Sequence, residues 1–585
     1  MLQVKSLKVI GVWIANWESR DSYGIGNTVH ICYLRRVACY STLILALIQL
    51  LNTFKRSWIL FLKENRPVDV SDNRGWFPLH EAAAASHSLE FLEKILNHGG
   101  TNVNWVTHEG ETALLLSCKR RRGALSNAYA DLLLQHGADP NALDNEEDSP
   151  LLEAVRCGNM YLTEKLVSAG ANVNVPDCAN WSPLHEAATK DLNLLKLLLS
   201  NGARIDLQDE CGMTPIFTAA QHGCKDNLRE LLRVAKERNQ EHIVNIGAED
   251  WATALMISAQ QGYVDIVEML LDNGADPNLK TSDNATALHL AVQGDNKCVE
   301  ILLAKMDLEP LIKAFHPLTY EDKKMICPVH LAVEWESYGA LKSLLASGFS
   351  PDSLYTCSDQ YLSRMITYLP KLETPISYAI SKYDKTSVEI LLAAGASCNP
   401  PAPESGHPLL RAMTLQKSEI FQRFIENGAN VNYQRHNVAS NEVFLFALLT
   451  SVKYLEQVLY HGCDPNLCFQ NESEISFFVR CAGFFLRKQR IPLRDFLNHM
   501  LRFLLISKKV QDAFIELNTI FTEDISDILE ELNHPSSLKQ ICTVKLRQHL
   551  YSIHGVRLPD VIQHLYLPST LEEHIVCNDL KLQPD

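Results

Sequence analysis

The sequence predicts an all-α solenoid of about ten or eleven stacked helix pairs, followed by a short three-helix box. Two observations predict the solenoid. From residue 75 onward one phrase returns: GWFPLHEAA, GETALLLSC, EDSPLLEAV, NWSPLHEAA, GMTPIFTAA, WATALMISA, NATALHLAV, MICPVHLAV, LETPISYAI and SGHPLLRAM. Its first apolar positions are Leu79, Leu114, Leu151, Leu184, Ile216, Leu255, Leu288, Val329, Ile376 and Leu409. Their spacing keeps returning to about 33. A second signature follows each phrase, as in LLLQHGADPN, KLVSAGANVN, LLLSNGARID, MLLDNGADPN, LLAAGASCN and FIENGANVN. The observation behind the box is a stripe of apolar residues four apart near the end of the chain.

Each letter of the phrase has a physical use. Thr, Ser or Asn before the proline caps the first helix, and proline at the first helical position gives up an N–H that has no helical partner anyway. His80, His185, His289 and His330 fall inside the phrase and are expected to bond the turn, not to ligate metal or act as bases. The alanines allow close helix packing. The leucine-rich stretch forms the second helix, and glycine in the NGAD tip supplies the left-handed stop. A single such unit cannot bury its apolar face, so stability comes from stacking. The period and the T-P-L-H-x-A phrase resemble the ankyrin repeat.

Three stretches break the spacing. RVAKERNQEHIVNIG is a charged extension, and EPLIKAFHPLTYEDKK and LYTCSDQYLSRMITYLP are extra residues between phrases. Such insertions are expected as loops on one face, where they shape a binding surface or merely drift. At the ends the pattern weakens. WILFLKENRPVDVSDNRG reads as the tail of a degenerate first repeat, and Glu442 to Asn466 as a final repeat without Thr-Pro, as capping requires. Residues 467–535 lose the period but read as helical, with RDFLNHMLRFLLI and EDISDILEELN amphipathic. The resulting organisation is an atypical segment at 1–57, the array at 58–466, a helical connector at 467–535, the box at 536–576 and a tail at 577–585.

Composition narrows the function. With 46% hydrophobic and 21% charged residues the chain is that of a folded protein. Its net charge of -15 argues against phosphate-backbone binding as the main task. The 16 cysteines are scattered without CxxC pairs, as expected of reduced, buried thiols in a cytoplasmic protein. Residues 41–62 are apolar but interrupted by Asn52, Lys55 and Arg56, short of the run of about 20 needed to cross a bilayer. A helix packed on the next repeat is the expectation there, ahead of an anchor or signal segment. No P-loop, HExxH, GxSxG or kinase motif is present, and GIGN at Gly24 lacks the third glycine of a dinucleotide loop. Asp139, Asp276 and Asp464 fall in hairpin tips and read as solvated turn residues.

Function must then lie in surfaces for other proteins. One is SLKQICTVKLRQHL, Ser537 to Leu550. Ser537 and Gln540 have capping-box spacing, so a helix should start there. Positions four apart advance about 40° around a helix, so Leu538, Cys542, Leu546 and Leu550 form one stripe. Pro559 and Pro568 each open a further short helix. A piece this small needs something to pack on: either the repeats, as a cap, or another protein.

Residues 537–575 resemble a SOCS box. Leu538, Cys542 and Leu546 match its elongin-binding motif, and Leu565, Pro568, Leu571 and Ile575 resemble its cullin-binding motif. Two positions depart from the family: Tyr566 where proline is usual, and His574 where an aromatic is usual. With the repeats ahead of it, the chain from about residue 58 is similar to the ankyrin repeat and SOCS box family, and VDVSDNRGWFPLHEAA is most like one member of it in particular. The resemblance implies a non-catalytic substrate receptor of a cullin-RING ubiquitin ligase. Elongin B, elongin C and the fifth cullin are the implied partners, with a protein target on the repeats and neither nucleic acid nor membrane. No metal or cofactor is implied. The rival readings are a plain ankyrin adaptor in intracellular signalling, an enzyme with an unfamiliar site, and a membrane-tethered receptor.

Overall fold

The computed structural model describes residues 68–532, apart from 85–88, 99, 120–123, 316–326, 357–371, 400–406, 435–440, 471, 505–506 and 522–525. The expected elongin and cullin motifs and residues 41–62 lie outside the described residues. The chain divides at Cys178 into two compact units.

In the first unit six helices form three pairs: α1 (Pro78–Ala84) with α2 (Leu89–Leu96), α3 (Ala113–Cys118) with α4 (Ala124–Gln135), and α5 (Pro150–Arg156) with α6 (Met160–Ser168). First helices stack on first helices and second on second, so Leu79, Leu114 and Leu151 are wholly buried between layers.

The second unit continues the plan with eight pairs: α7 (Pro183–Ala188) and α8 (Leu192–Ser200), α9 (Pro215–Gln221) and α10 (Lys225–Glu237), α11 (Ala254–Gln261) and α12 (Val264–Asp272), and α13 (Ala287–Ala291) and α14 (Asn296–Lys305). After the single helix α15 (Glu309–Ala314) come α16 (Pro328–Glu334) and α17 (Tyr338–Ala346), α18 (Pro375–Lys382) and α19 (Lys385–Ala393), α20 (Pro408–Thr414) and α21 (Ser418–Glu426), and α22 (Glu442–Thr450) and α23 (Val452–Tyr460). Four longer or irregular helices follow: α24 (Glu472–Gln489), α25 (Leu493–Leu501), α26 (Lys508–Phe521) and α27 (Ser526–Leu532). Among the described residues the only strands are β1 (Tyr355–Thr356) and β2 (Leu372–Glu373), paired antiparallel with Tyr355 opposite Glu373. The all-α repeat class predicted from the phrase is the class observed.

The caps form as the phrase requires. The side chains of Thr112, Ser149, Ser182, Thr214, Thr253 and Thr374 each accept from the backbone N–H three residues on. Asn441 does the same for the last repeat, which lacks Thr-Pro. Gly137, Gly170, Gly202, Gly274 and Gly395 end second helices at φ between 82 and 90°. A Cβ there would meet nothing within 4 Å, so these glycines are selected by backbone angle and not by space.

Where they are described, two of the three insertions differ from the expected loops; residues 316–324 of the second and 357–370 of the third lie outside the described residues. The charged extension lengthens α10 and adds a 3-10 turn at Glu241–Asn245 that buries Ile243 and Val244. EPLIKA forms α15, which buries Leu311. In both cases apolar residues spaced among the charges find a core to face. The cysteines differ in part as well. Cys118, Cys298, Cys327, Cys398, Cys463, Cys468 and Cys481 are buried, but Cys178 and Cys211 are exposed because they sit on hairpin tips.

Candidate interaction surface

The histidines of the phrase come first, because they are the residues most easily mistaken for chemistry. In His80, Nδ1 accepts the Phe77 N–H at 3.1 Å, so the proton is on Nε2, which donates to the Trp105 carbonyl at 2.8 Å. In His185, Nδ1 accepts from the Ser182 N–H at 3.2 Å and Nε2 donates to the Met213 carbonyl at 3.0 Å. His330 bonds the Glu373 carbonyl at 3.1 Å in the same way. The His80 and His185 rings therefore close their own helix starts, and all three rings reach forward to the next hairpin. Serine and histidine complete a reciprocal capping box, with histidine where glutamate is usual.

Burial keeps such rings neutral. It pushes His330 and His407 down to about 3 and His499 to about 4, from an ordinary 6.5. Below pH 6.5 the unfolded chain therefore takes up protons that the fold refuses. Stability is full above that value and is expected to fall with acid by about 1.4 kcal/mol per pH unit for each such histidine, down to its folded value. Thermal unfolding at pH 7, 6 and 5 checks this, and His330→Gln should make the slope shallower by one histidine's share. An unaltered slope would remove His330 from the account.

Hairpin tips are tied by asparagines. In the first unit Asn104 donates to the Gly137 carbonyl at 3.4 Å and accepts from the Asp139 N–H at 2.8 Å. In the second unit Asn245 bonds Gly274 and Asp276, and Asn432 bonds Gly462 and Asp464. Asp139, Asp276 and Asp464 each accept an N–H two residues on, so these acids are turn builders.

What varies along the array is the residue after the histidine position of the first helix. In the first unit Glu153 occupies it and is drawn into a network. Arg156 meets Asp148 at 3.2 Å, Asp177 at 3.0 Å and Glu153 itself. Burial pushes the Glu153 carboxyl up, against the pull of Arg156. Beside it Lys119 bridges Glu111 at 2.8 Å and Asp144 at 3.0 Å. Burial disfavours that ammonium, but the two hydrogen bonds outweigh it and hold Lys119 above the usual lysine value.

In the second unit the same position is Glu186 on α7 and Thr218 on α9, and then turns apolar: Ile257, Leu290, Leu331 and Tyr378, on α11, α13, α16 and α18, are all half-buried. Exposed apolar side chains follow the ends of three successive first helices, Trp335 at 54%, Tyr383 at 45% and Leu415 at 37% exposure. Bonds between neighbouring repeats place them side by side. Lys382 donates to the Glu334 carbonyl, and Lys417 Nζ lies 3.8 Å from the centre of the Tyr383 ring. On α20 the position after the histidine position is Arg411, whose guanidinium meets the Glu373 carboxylate at 2.7 Å in a nearly dry pair beside the row. A continuous line of apolar groups on a rigid stack can hold an apolar segment of another protein; it has no nucleophile, and among the described residues no group of His, Cys, Asp or Glu is arranged to hold a metal. No described helix is long and apolar enough to cross a membrane.

The family described as ankyrin repeats in three copies matches residues 52–144, 122–209 and 184–281, and the single ankyrin repeat matches residues 283–311. Residues 52–281 and 283–311 are ankyrin repeats. The repeats from α16 to α23 follow the same helix-pair plan beyond those matches. Over 166 residues the chain is 37% identical to Ankyrin repeat and SOCS box protein 3 of Homo sapiens and 36% identical to that of Bos taurus. Each alignment takes in 28% of this chain, and it covers 31% of the human relative and 30% of the bovine one. The chain thus spans about a third of the length of the curated relatives it matches. The human ASB11 ankyrin repeat domain is 27% identical with a TM-score of 0.33, covering 39% of this chain and 98% of that one. The Bcl-3 ankyrin repeat domain is 24% identical with a TM-score of 0.34, covering 39% and 99%.

Proposed function

We propose that this chain is the substrate-recognition subunit of an elongin B/C–cullin–RING ubiquitin ligase and directs target proteins to ubiquitination and proteasomal degradation. The observation that carries the reading is the order of parts: ankyrin repeats, similar in sequence to those of an ankyrin repeat and SOCS box protein, precede a SOCS-box pattern at 537–575. In this reading the apolar row from Ile257 to Leu415 contacts the target. Leu538, Cys542 and Leu546 bind elongin C, with elongin B alongside. Leu565, Pro568, Leu571 and Ile575 meet the fifth cullin. The chain performs no bond chemistry of its own; it works in the cytoplasm by holding a target's lysines near a ubiquitin-loaded enzyme, a contribution of proximity.

Affinity purification with the proteasome blocked tests this. Elongins B and C and the fifth cullin are expected to co-purify, together with ubiquitinated target. Replacing Leu565 and Pro568 with serine should spare the elongins and lower the cullin, a contact that Tyr566 already makes modest. Recovery of the target without elongins would reduce the chain to an ankyrin adaptor.

A further inference from the structure

We propose that the outer face of α24 is a second docking surface, for an acidic segment of another protein that carries large apolar side chains. Helix α24 contains two Phe-Phe pairs, and each pair splits. Phe478 and Phe485 are wholly buried, while Phe477 and Phe484 point outward at 43% and 54% exposure. The fold uses the inner rings together with Ile475, Val479, Cys481, Ala482 and Leu486, and has no packing use for the outer two. Seven residues apart, the outer rings lie two turns from each other on one face, about 10 Å along the axis.

The charge along this stretch of chain is of one sign. Between Glu474 and Asp495 there is no acidic residue, while Arg480, Arg487, Lys488, Arg490 and Arg494 are all basic, in a chain whose net charge is -15. Arg480 lies 5.7 Å over the Phe477 ring and Lys488 5.8 Å over Phe484, with Arg487 over Phe521. Lys488 also donates to the Thr450 and Leu449 carbonyls at the end of α22, and Arg494 is paired with Asp527. Arg480, Arg487 and Arg490 meet no carboxylate among the described residues. Exposed rings bordered by unneutralised guanidinium groups suit a partner that offers carboxylates around apolar anchors. The chain's overall negative charge opposes the approach of lipid headgroups or nucleic acid, whose charge is dense and extended; a short acidic peptide meets only the local basic face.

The full chain tests this, with a fluorescein-labelled peptide of Asp, Glu, Leu and Phe as probe. Its counterpart with Lys at every acidic position and vesicles of phosphatidylserine and phosphatidylcholine serve as controls. Fluorescence anisotropy is expected to register the acidic peptide and not the lysine one. Arg480→Glu with Arg487→Glu, and separately Phe477→Ser with Phe484→Ser, should each weaken binding by about tenfold or more while leaving thermal unfolding unchanged. Equal binding by both variants would overturn the proposal, as would vesicle binding that the variants lose in place of peptide binding. Elongin co-purification is a separate readout, so failure here leaves the ligase reading standing.

Discussion

Replacing Leu538 and Cys542 together with aspartate is expected to abolish elongin binding and every ubiquitination event that depends on it. The two residues are one turn apart in the helix that the sequence predicts, and interface energy concentrates in a few such buried apolar anchors. Each anchor truncated at the centre of an interface costs about 2 kcal/mol or more, and a carboxylate in an apolar pocket adds a desolvation cost that no partner repays. Two at once exceed about 4 kcal/mol, which is a loss of about a thousandfold in affinity. Cys542 contributes here as a compact hydrophobe, so Cys542→Ala should weaken binding far less than Cys542→Asp. Target capture should survive, because the apolar row ends at Leu415, far upstream in sequence. Retention of elongins by the double variant would sink the ligase reading and leave this segment as a cap on the repeats.

Much of this fold was legible because the repeat forces local rules to recur. The caps at Ser149, Ser182 and Thr214, the glycine stops and the buried leucines each follow from residues within one phrase. What was not legible depends on the neighbour or on a tolerance of the backbone. Trp251 stands at a hairpin position that Gly110 and Gly212 occupy elsewhere, and adopts φ 64° with its ring 66% exposed. No sequence rule predicts a tryptophan in the left-handed region, which costs a bulky side chain about 1–2 kcal/mol. The insertions read as loops because they break the repeat spacing, yet α15 and the extended α10 bury what apolar residues they carry. The face of α24 was invisible for a different reason. Without the period, the sequence says that 467–535 is helical but not which ring of each Phe-Phe pair meets the core.

The candidate surface was legible only as a location. That first helices line a face follows from the repeat, but Ile257, Leu290, Leu331 and Tyr378 become a continuous row only once the helices of the second unit are stacked. The same stacking creates the Arg411–Glu373 ion pair beside the row. Glu373 sits on the short strand β2, accepts through its carbonyl from His330 one repeat back, and holds Arg411 one repeat forward through its carboxylate. One residue thereby ties three repeats, through groups that no spacing rule connects.

Arg411→Ala is accordingly expected to destabilise the stack around it by about 3–5 kcal/mol. The side chains of Arg411 and Glu373 are only 16% and 5% exposed, so removal of the guanidinium strands a carboxylate that water cannot reach. An exposed pair such as Lys313 with Glu309, at more than 70% exposure, should by contrast leave stability almost unchanged when broken, because water screens it. Repeat arrays open locally, so amide hydrogen exchange across 328–346, 375–393 and 408–426 is the measurement of choice. Faster exchange should appear in all three repeats, because Glu373 links them. Replacing both partners, Glu373→Leu with Arg411→Met, removes the stranded charge and should restore most of the protection. A single variant with exchange confined to α20 would mean that the pair holds one repeat and not three. Full protection in that variant would show that the carboxylate reaches solvent by a route the packed stack closes.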